Sequence, residues 1–193
     1  LPHIWGNFLP NFGFSRSEFL RSAAALTLGP ARQWGQTVIT RDEALALAFP
    51  DAHEIKRHTA YLSSAEVARA RTFAGEGVAL ETRVITYYLA LQSGHSVGVA
   101  YFDVHRVRTL SEVLMVAVGT DDRISRIEVL QFQEPPDYRP PERWLRRFRG
   151  SALDRQLSLK GSVANLTGAT LTADAVTDSA RRMLALHRVI RPF

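Results

Sequence analysis

The apolar and polar positions change period several times along the chain, and each change marks an element. Thr40-Arg41-Asp42-Glu43 is a capping box, in which Thr40 and Glu43 can satisfy each other's orphan amides. It opens a predicted helix over 41–49, stopped by Pro50. The loose alternation from His53 to Leu62 predicts a strand. Ser63-Ser64-Ala65-Glu66 is a second capping box, opening a helix to about Ala74 that Gly75 and Gly77 end. Four β-rich runs follow: Val84 to Leu91, Val97 to Val107, Glu112 to Val118 and Ile124 to Phe132. Ser93-Gly94 and Thr120-Asp121-Asp122 are turn signals between them, so the runs form one antiparallel sheet. Gln133 to Pro141 carries four prolines and reads as a stiff, extended loop. A short helix over 142–148 comes next, with Pro141 suited to its first turn, then a short helix or strand over 153–159. The last helix runs from about Ala173 to Val189, because Ala173, Val176, Ala180, Met183, Leu184 and His187 follow helical spacing. Arg181, Arg182 and Arg188 lie toward its negative end. The expected fold class is α+β, a twisted antiparallel sheet of about four to six strands with helices packed on it.

Composition narrows the function classes. The 193 residues, 46% of them hydrophobic, suffice for one domain, or for one domain plus an arm. No apolar run approaches the ~20 residues of a membrane-spanning helix. The formal charge is +5, and Lys56 and Lys160 are the only lysines. Two readings of this arginine bias stand: genomic base composition, or a basic face for an acidic redox partner or anionic cofactor. The arginines are scattered and fit no nucleic-acid-binding motif, so no nucleic-acid partner is expected. The chain has no cysteine, which excludes disulfides, iron–sulfur ligation, thiol catalysis and thioether haem attachment. The histidines show no metal-ligand spacing, and no metal is expected.

Residues 1–36 read as an arm distinct from a domain over 37–193. Ser15-Arg16-Ser17-Glu18-Phe19-Leu20-Arg21 and the small apolar run after it have the shape of an export signal. They resemble the twin-arginine pattern, with Ser17 in place of the second arginine. The other reading is an amphipathic helix packed on the domain or on a partner.

The stretch Val163-Ala164-Asn165-Leu166-Thr167-Gly168-Ala169-Thr170-Leu171-Thr172 is a small-residue turn feeding the last helix. Gly168 and Ala169 let a ligand approach the backbone, and Thr172 is a natural N-cap with Asp174 in the first turn. A helix start offers unpaired N–H groups and partial positive charge, which suits a phosphate. Thr167-Gly168-Ala169-Thr170-Leu171-Thr172 resembles the flavin-attachment motif of the FMN-binding domain family, Asp-x-x-Ser/Thr-Gly-Ala-Thr. That family includes the flavin-bearing subunits of the sodium-pumping NADH:quinone reductase and of the Rnf electron-transport complex. The leading acid of the motif falls at Ala164 and is absent. Phe49-Pro50-Asp51-Ala52 sits where the family has a Phe-Pro turn. Glu134-Pro135-Pro136 sits where it has His-x-Glu-Thr-Pro-Gly, of which only Glu134 and Pro136 fit.

The resemblance implies a free-standing domain with FMN joined through its phosphate to Thr170 by a flavin transferase. It implies cofactor-binding roles for Thr167, Gly168, Ala169, Leu171, Thr172 and Glu134. No residue is assigned to catalysis, and the chain reads as an electron carrier rather than a stand-alone catalyst. Its place would be periplasmic or otherwise extracytoplasmic, near membranes, with redox partners unidentified. Two rival readings are a reversible FMN binder or flavin reductase, and a non-redox relative with an empty site. Other residues carry bland readings beside functional ones. Tyr87, Tyr88, Tyr101 and Phe102 read as sheet aromatics or as neighbours of a flavin ring. Arg106 and Arg108 read as solvated or as meeting a phosphate. Glu134 reads as a flavin hydrogen-bond partner or a surface residue, and Trp144, Leu145 and Phe148 as core.

Overall fold

In the computed structural model the described residues are 39–161, 163 and 165–193. The arm read over 1–36, with both its interpretations, lies outside them, as does Ala164.

Both capping boxes form. Helix α1, Arg41–Ala48, starts at Thr40, whose Oγ1 accepts from the Glu43 N–H at 3.2 Å while Glu43 Oε2 accepts from the Thr40 N–H at 2.8 Å. Helix α2, Ser64–Ala74, repeats this arrangement with Ser63 and Glu66. Five strands follow one another in space as they do in sequence: β1 Glu54–Tyr61, β2 Val84–Gln92, β3 His95–Arg106, β4 Ser111–Gly119 and β5 Ile124–Phe132. Every neighbouring pair is antiparallel, so the domain is α+β around a five-stranded meander. Ser93 and Gly94 both take positive φ, the two-residue primed turn that matches strand twist.

Successive side chains of a strand alternate between faces, and here both faces are covered. Val99 and Tyr101 of β3, with Leu114, Val116 and Val118 of β4, pack against α2 and the last helix. Ala100, Met115, Ala117 and Leu130 pack with Ala44, Leu45 and Phe49 on the α1 side. Double coverage explains why β3 and β4 read as near-continuous apolar runs rather than alternating ones. Gly98 permits the close approach of α1: a Cβ there would lie 2.5 Å from Phe49 Cε1 and 2.9 Å from the Val118 carbonyl oxygen.

Beyond β5 the chain departs from expectation in four places. The proline loop is not wholly extended, because Pro136–Tyr138 form a 3₁₀ turn. Pro135 and Pro136 have the fixed negative φ that such a turn uses. Residues 153–159 form neither helix nor strand. There the Asp154 carboxylate accepts from the N–H groups of Gln156 and Leu157, at 2.8 and 3.1 Å, in place of a regular ladder. The predicted helix over 142–148 is split into α3, Glu142–Leu145, and a 3₁₀ turn, Arg146–Phe148. Trp144, Leu145 and Phe148 are core, with the Trp144 and Phe148 rings edge-on at 5.2 Å. Helix α4, Thr170–Ile190, starts earlier than the predicted Ala173. Among the described residues no helix is long and apolar enough to cross a membrane.

Candidate functional site

The early start of α4 changes the geometry of the 167–172 segment. The N-cap is Ala169, so Thr170 is the first helical residue and Thr172 the third. Thr172 is therefore not the N-cap, and Asp174 falls outside the first turn, which holds no acid. The Ala169 N–H donates to the Leu166 carbonyl at 3.0 Å, closing a four-residue turn. Gly168 is third in that turn and has φ +81°, the left-handed value a type II turn requires there. This turn ends the preceding loop and aims the chain into α4.

An alanine cannot cap a helix with its side chain, and α4 has no side-chain cap. Its first N–H groups consequently lack intrahelical acceptors and carry the positive end of the dipole. Thr167, Gly168, Thr170 and Leu171 are exposed here, while Ala169 and Thr172 are buried. The buried pair anchors the turn to the core, and the exposed residues face solvent. Thr170 thus presents a solvent-accessible hydroxyl at the first position of a 21-residue helix.

One cleft abuts the turn and a second lies farther along α4. The first, of about 410 Å³, lies between the turn and α3, lined by Pro141, Arg143, Trp144, Arg147, Asn165, Leu166 and Thr167. The other, also about 410 Å³, follows α4 and includes Glu76, Lys160, Asp174, Thr177, Asp178 and Arg181. The first holds two arginines and no carboxylate. The second mixes charges, and burial, with repulsion from Asp174, raises the pKa of the Asp178 carboxyl. Sequence reasoning missed Arg143 and Arg147. The signal was present: they are four apart, the residue four before each is itself an arginine, and neither has an acid to pair with along the helix. Arg146, between them, is instead held by Glu142 at 2.6 Å.

Glu134 is neither at the surface nor free. It is buried, and its Oε1 accepts from the N–H groups of Thr109, Leu110 and Arg108 at 3.0, 3.0 and 3.3 Å. These donors, that of Thr109 first, hold the carboxylate below its usual range. The residue thereby ties the proline loop to the β3–β4 turn. Arg108 lies in that turn with its guanidinium 5.7 Å from the centre of the Tyr138 ring, and Arg106 ends β3. Neither lines the cleft beside the 167–172 turn or the one along α4. Tyr87 and Tyr88 are half-buried against the core, and neither lines the cleft beside the turn. Tyr101 is fully buried and its hydroxyl lies 3.0 Å from His187 Nδ1, whose Nε2 is 2.8 Å from Asp122. Burial lowers the pKa of His187, so the neutral ring donates to Asp122 and accepts from Tyr101.

A second polar cluster sits where β3, β4 and α4 meet. His105 bridges Asp103 at 3.1 Å and Glu112 at 3.0 Å, and Arg182 reaches Asp103 at 3.1 Å. Burial alone would lower the His105 pKa, but hydrogen bonds to both carboxylates outweigh it and raise the value to about 9. The ring is therefore charged at neutral pH.

Residues 112–185, which contain β4, β5, both arginines and the 167–172 turn, match the family model described as the FMN-binding domain. No curated protein matches the chain. An uncapped helix start and two arginines unopposed by acids, features that suit an anion, lie within the matched segment. The chain thus contains a segment similar to the FMN-binding domain, and this match supports FMN as its cofactor.

Proposed function

We propose that FMN is joined through its phosphate to the Thr170 hydroxyl and that the domain carries electrons between partners outside the cytoplasm. The observation that carries this reading is the placement of Thr170. It is exposed, it is the first residue of α4, and it follows a left-handed glycine in a segment, 167–170, that matches the core of the attachment motif position by position, though not its leading acid. In attachment the Thr170 oxygen loses its proton and forms a bond to phosphorus, while the bond from that phosphorus to the donor's leaving group breaks. A flavin transferase would supply the base and the donor.

When bound, the flavin takes up or gives one or two electrons, which suits a relay. The chain's own part is to hold it. The uncapped N–H groups of α4 meet the phosphate, and Ala169 and Thr172, both buried, fix the turn. Thr167, Gly168 and Leu171 form the exposed rim. Glu134 supports this reading only from a distance, by fixing the proline loop.

The test is Thr170→Val. The side chain is exposed, so the variant keeps its fold and melting temperature but carries no flavin through denaturation after co-expression with a flavin transferase. Flavin that stays with the denatured variant would place the bond elsewhere.

A further inference from the structure

From the start of α4 the flavin's phosphate and ribityl chain can run toward the cleft beside the turn or toward the one along α4, and the two differ in the charge they present. The cleft along α4 offers Arg155, Lys160 and Arg181, but it sets them among three carboxylates, those of Glu76, Asp174 and Asp178. A phosphate placed there would meet carboxylates at close quarters. The cleft toward α3 has Arg143 and Arg147 and no acid, and Thr167 of the turn forms part of its wall. Among the described residues neither arginine makes an ion pair or hydrogen bond, in contrast to Arg146, Arg181 and Arg182. The backbone explains their shared direction: they lie four apart across α3 and the 3₁₀ turn that continues it, with Trp144 and Phe148 buried beneath. Two unpaired guanidiniums on one wall, facing hydroxyl and amide groups on the other, match a phosphate that accepts several charge-assisted hydrogen bonds.

We propose that Arg143 and Arg147 form the phosphate-binding wall of the flavin site, so that the apo-domain selects flavins bearing a phosphate before any bond to Thr170 forms. This rests on FMN being the cofactor and deepens the attachment reading without depending on it. The arginines act on the phosphate alone, so the preference belongs to FMN over riboflavin, which has the same ring and ribityl chain but no phosphate.

The experiment titrates the apo-chain, made without flavin transferase, with FMN and with riboflavin and follows quenching of flavin fluorescence. At low salt FMN binds at least about tenfold more tightly than riboflavin, the factor that a single charged hydrogen bond of about 1.4 kcal/mol supplies. R143Q/R147Q removes the gap by weakening FMN alone, and added salt narrows it in the parent chain. Both side chains are exposed, and an unchanged melting curve checks that the double variant folds. Equal affinity for the two flavins, no binding of FMN, or a gap that survives R143Q/R147Q would overturn the proposal. Thr170→Val separates it from the attachment reading. That variant keeps the preference for FMN if the arginines hold the phosphate, whatever becomes of the covalent bond.

Discussion

His105 is the side chain whose chemistry the surrounding fold alters most. Asp103 and Glu112 face it from β3 and β4, Arg182 reaches the same Asp103 from α4, and Arg139 acts on Glu112. Its pKa is about 9 in the folded chain against an ordinary 6.5. A raised folded pKa gives stability that is complete below pH 6.5 and is lost as pH rises through about 9. The melting temperature should therefore fall between these limits. His105→Gln should flatten that decline, at the cost of lower stability throughout, because the buried Glu112 loses the cation bonded directly to it. A melting temperature independent of pH from 6.5 to 9 would show that His105 carries no such charge. Gly98 makes a steric prediction. The added methyl of Gly98→Ala would meet the Phe49 ring on one side and the Val118 carbonyl on the other. The ring can yield but the backbone cannot, so denaturant unfolding should show a loss of about 1–3 kcal/mol. Phe49→Ala in the same background should recover little, since the carbonyl contact persists.

At the scale of elements, the helix starts that carry side-chain caps were legible in the sequence and the one without a cap was not. Thr40 and Ser63 announce α1 and α2 through their Glu partners three residues on. Replacing either by Ala should cost about 1 kcal/mol. The two helices pack on opposite faces of the sheet, so the losses should add in the double variant. A double variant no less stable than the weaker single would mean that the caps are not independent. For α4 the hydroxyl of Thr172 pointed to a cap, yet the Gly168 turn starts the helix earlier and Thr172 is turned into the core. Local propensity assigns a start to the best capping residue. Here the preceding turn decides instead, and the uncapped end it leaves suits an anion. Residues 153–159 were misread for a related reason, since the Asp154 side chain replaces the backbone partners that a helix or strand would need.

At the scale of the whole molecule, the meander was legible because turn residues separate its strands, as at Ser93-Gly94. Layering was not, because near-continuous apolar runs in β3 and β4 state that both faces are covered without saying by which helix. The site shows the same division. The segment 167–172 announces itself by residue type and spacing. The cleft opposite it depends on where α3 lands, and only the fold brings Arg143 and Arg147 beside Thr167. Glu134 was singled out by family position, and its carboxylate serves the β3–β4 turn. The molecule thus places a helix start and an arginine-lined cleft around one exposed turn, on a sheet packed on both sides.

The most direct test of this account is the intact mass of the protein co-expressed with a flavin transferase in an exporting host. The account predicts a gain of one FMN less one water, with fragmentation placing it on Thr170. An unmodified chain that nonetheless turns yellow with added FMN would contradict the covalent link and leave a reversible binder.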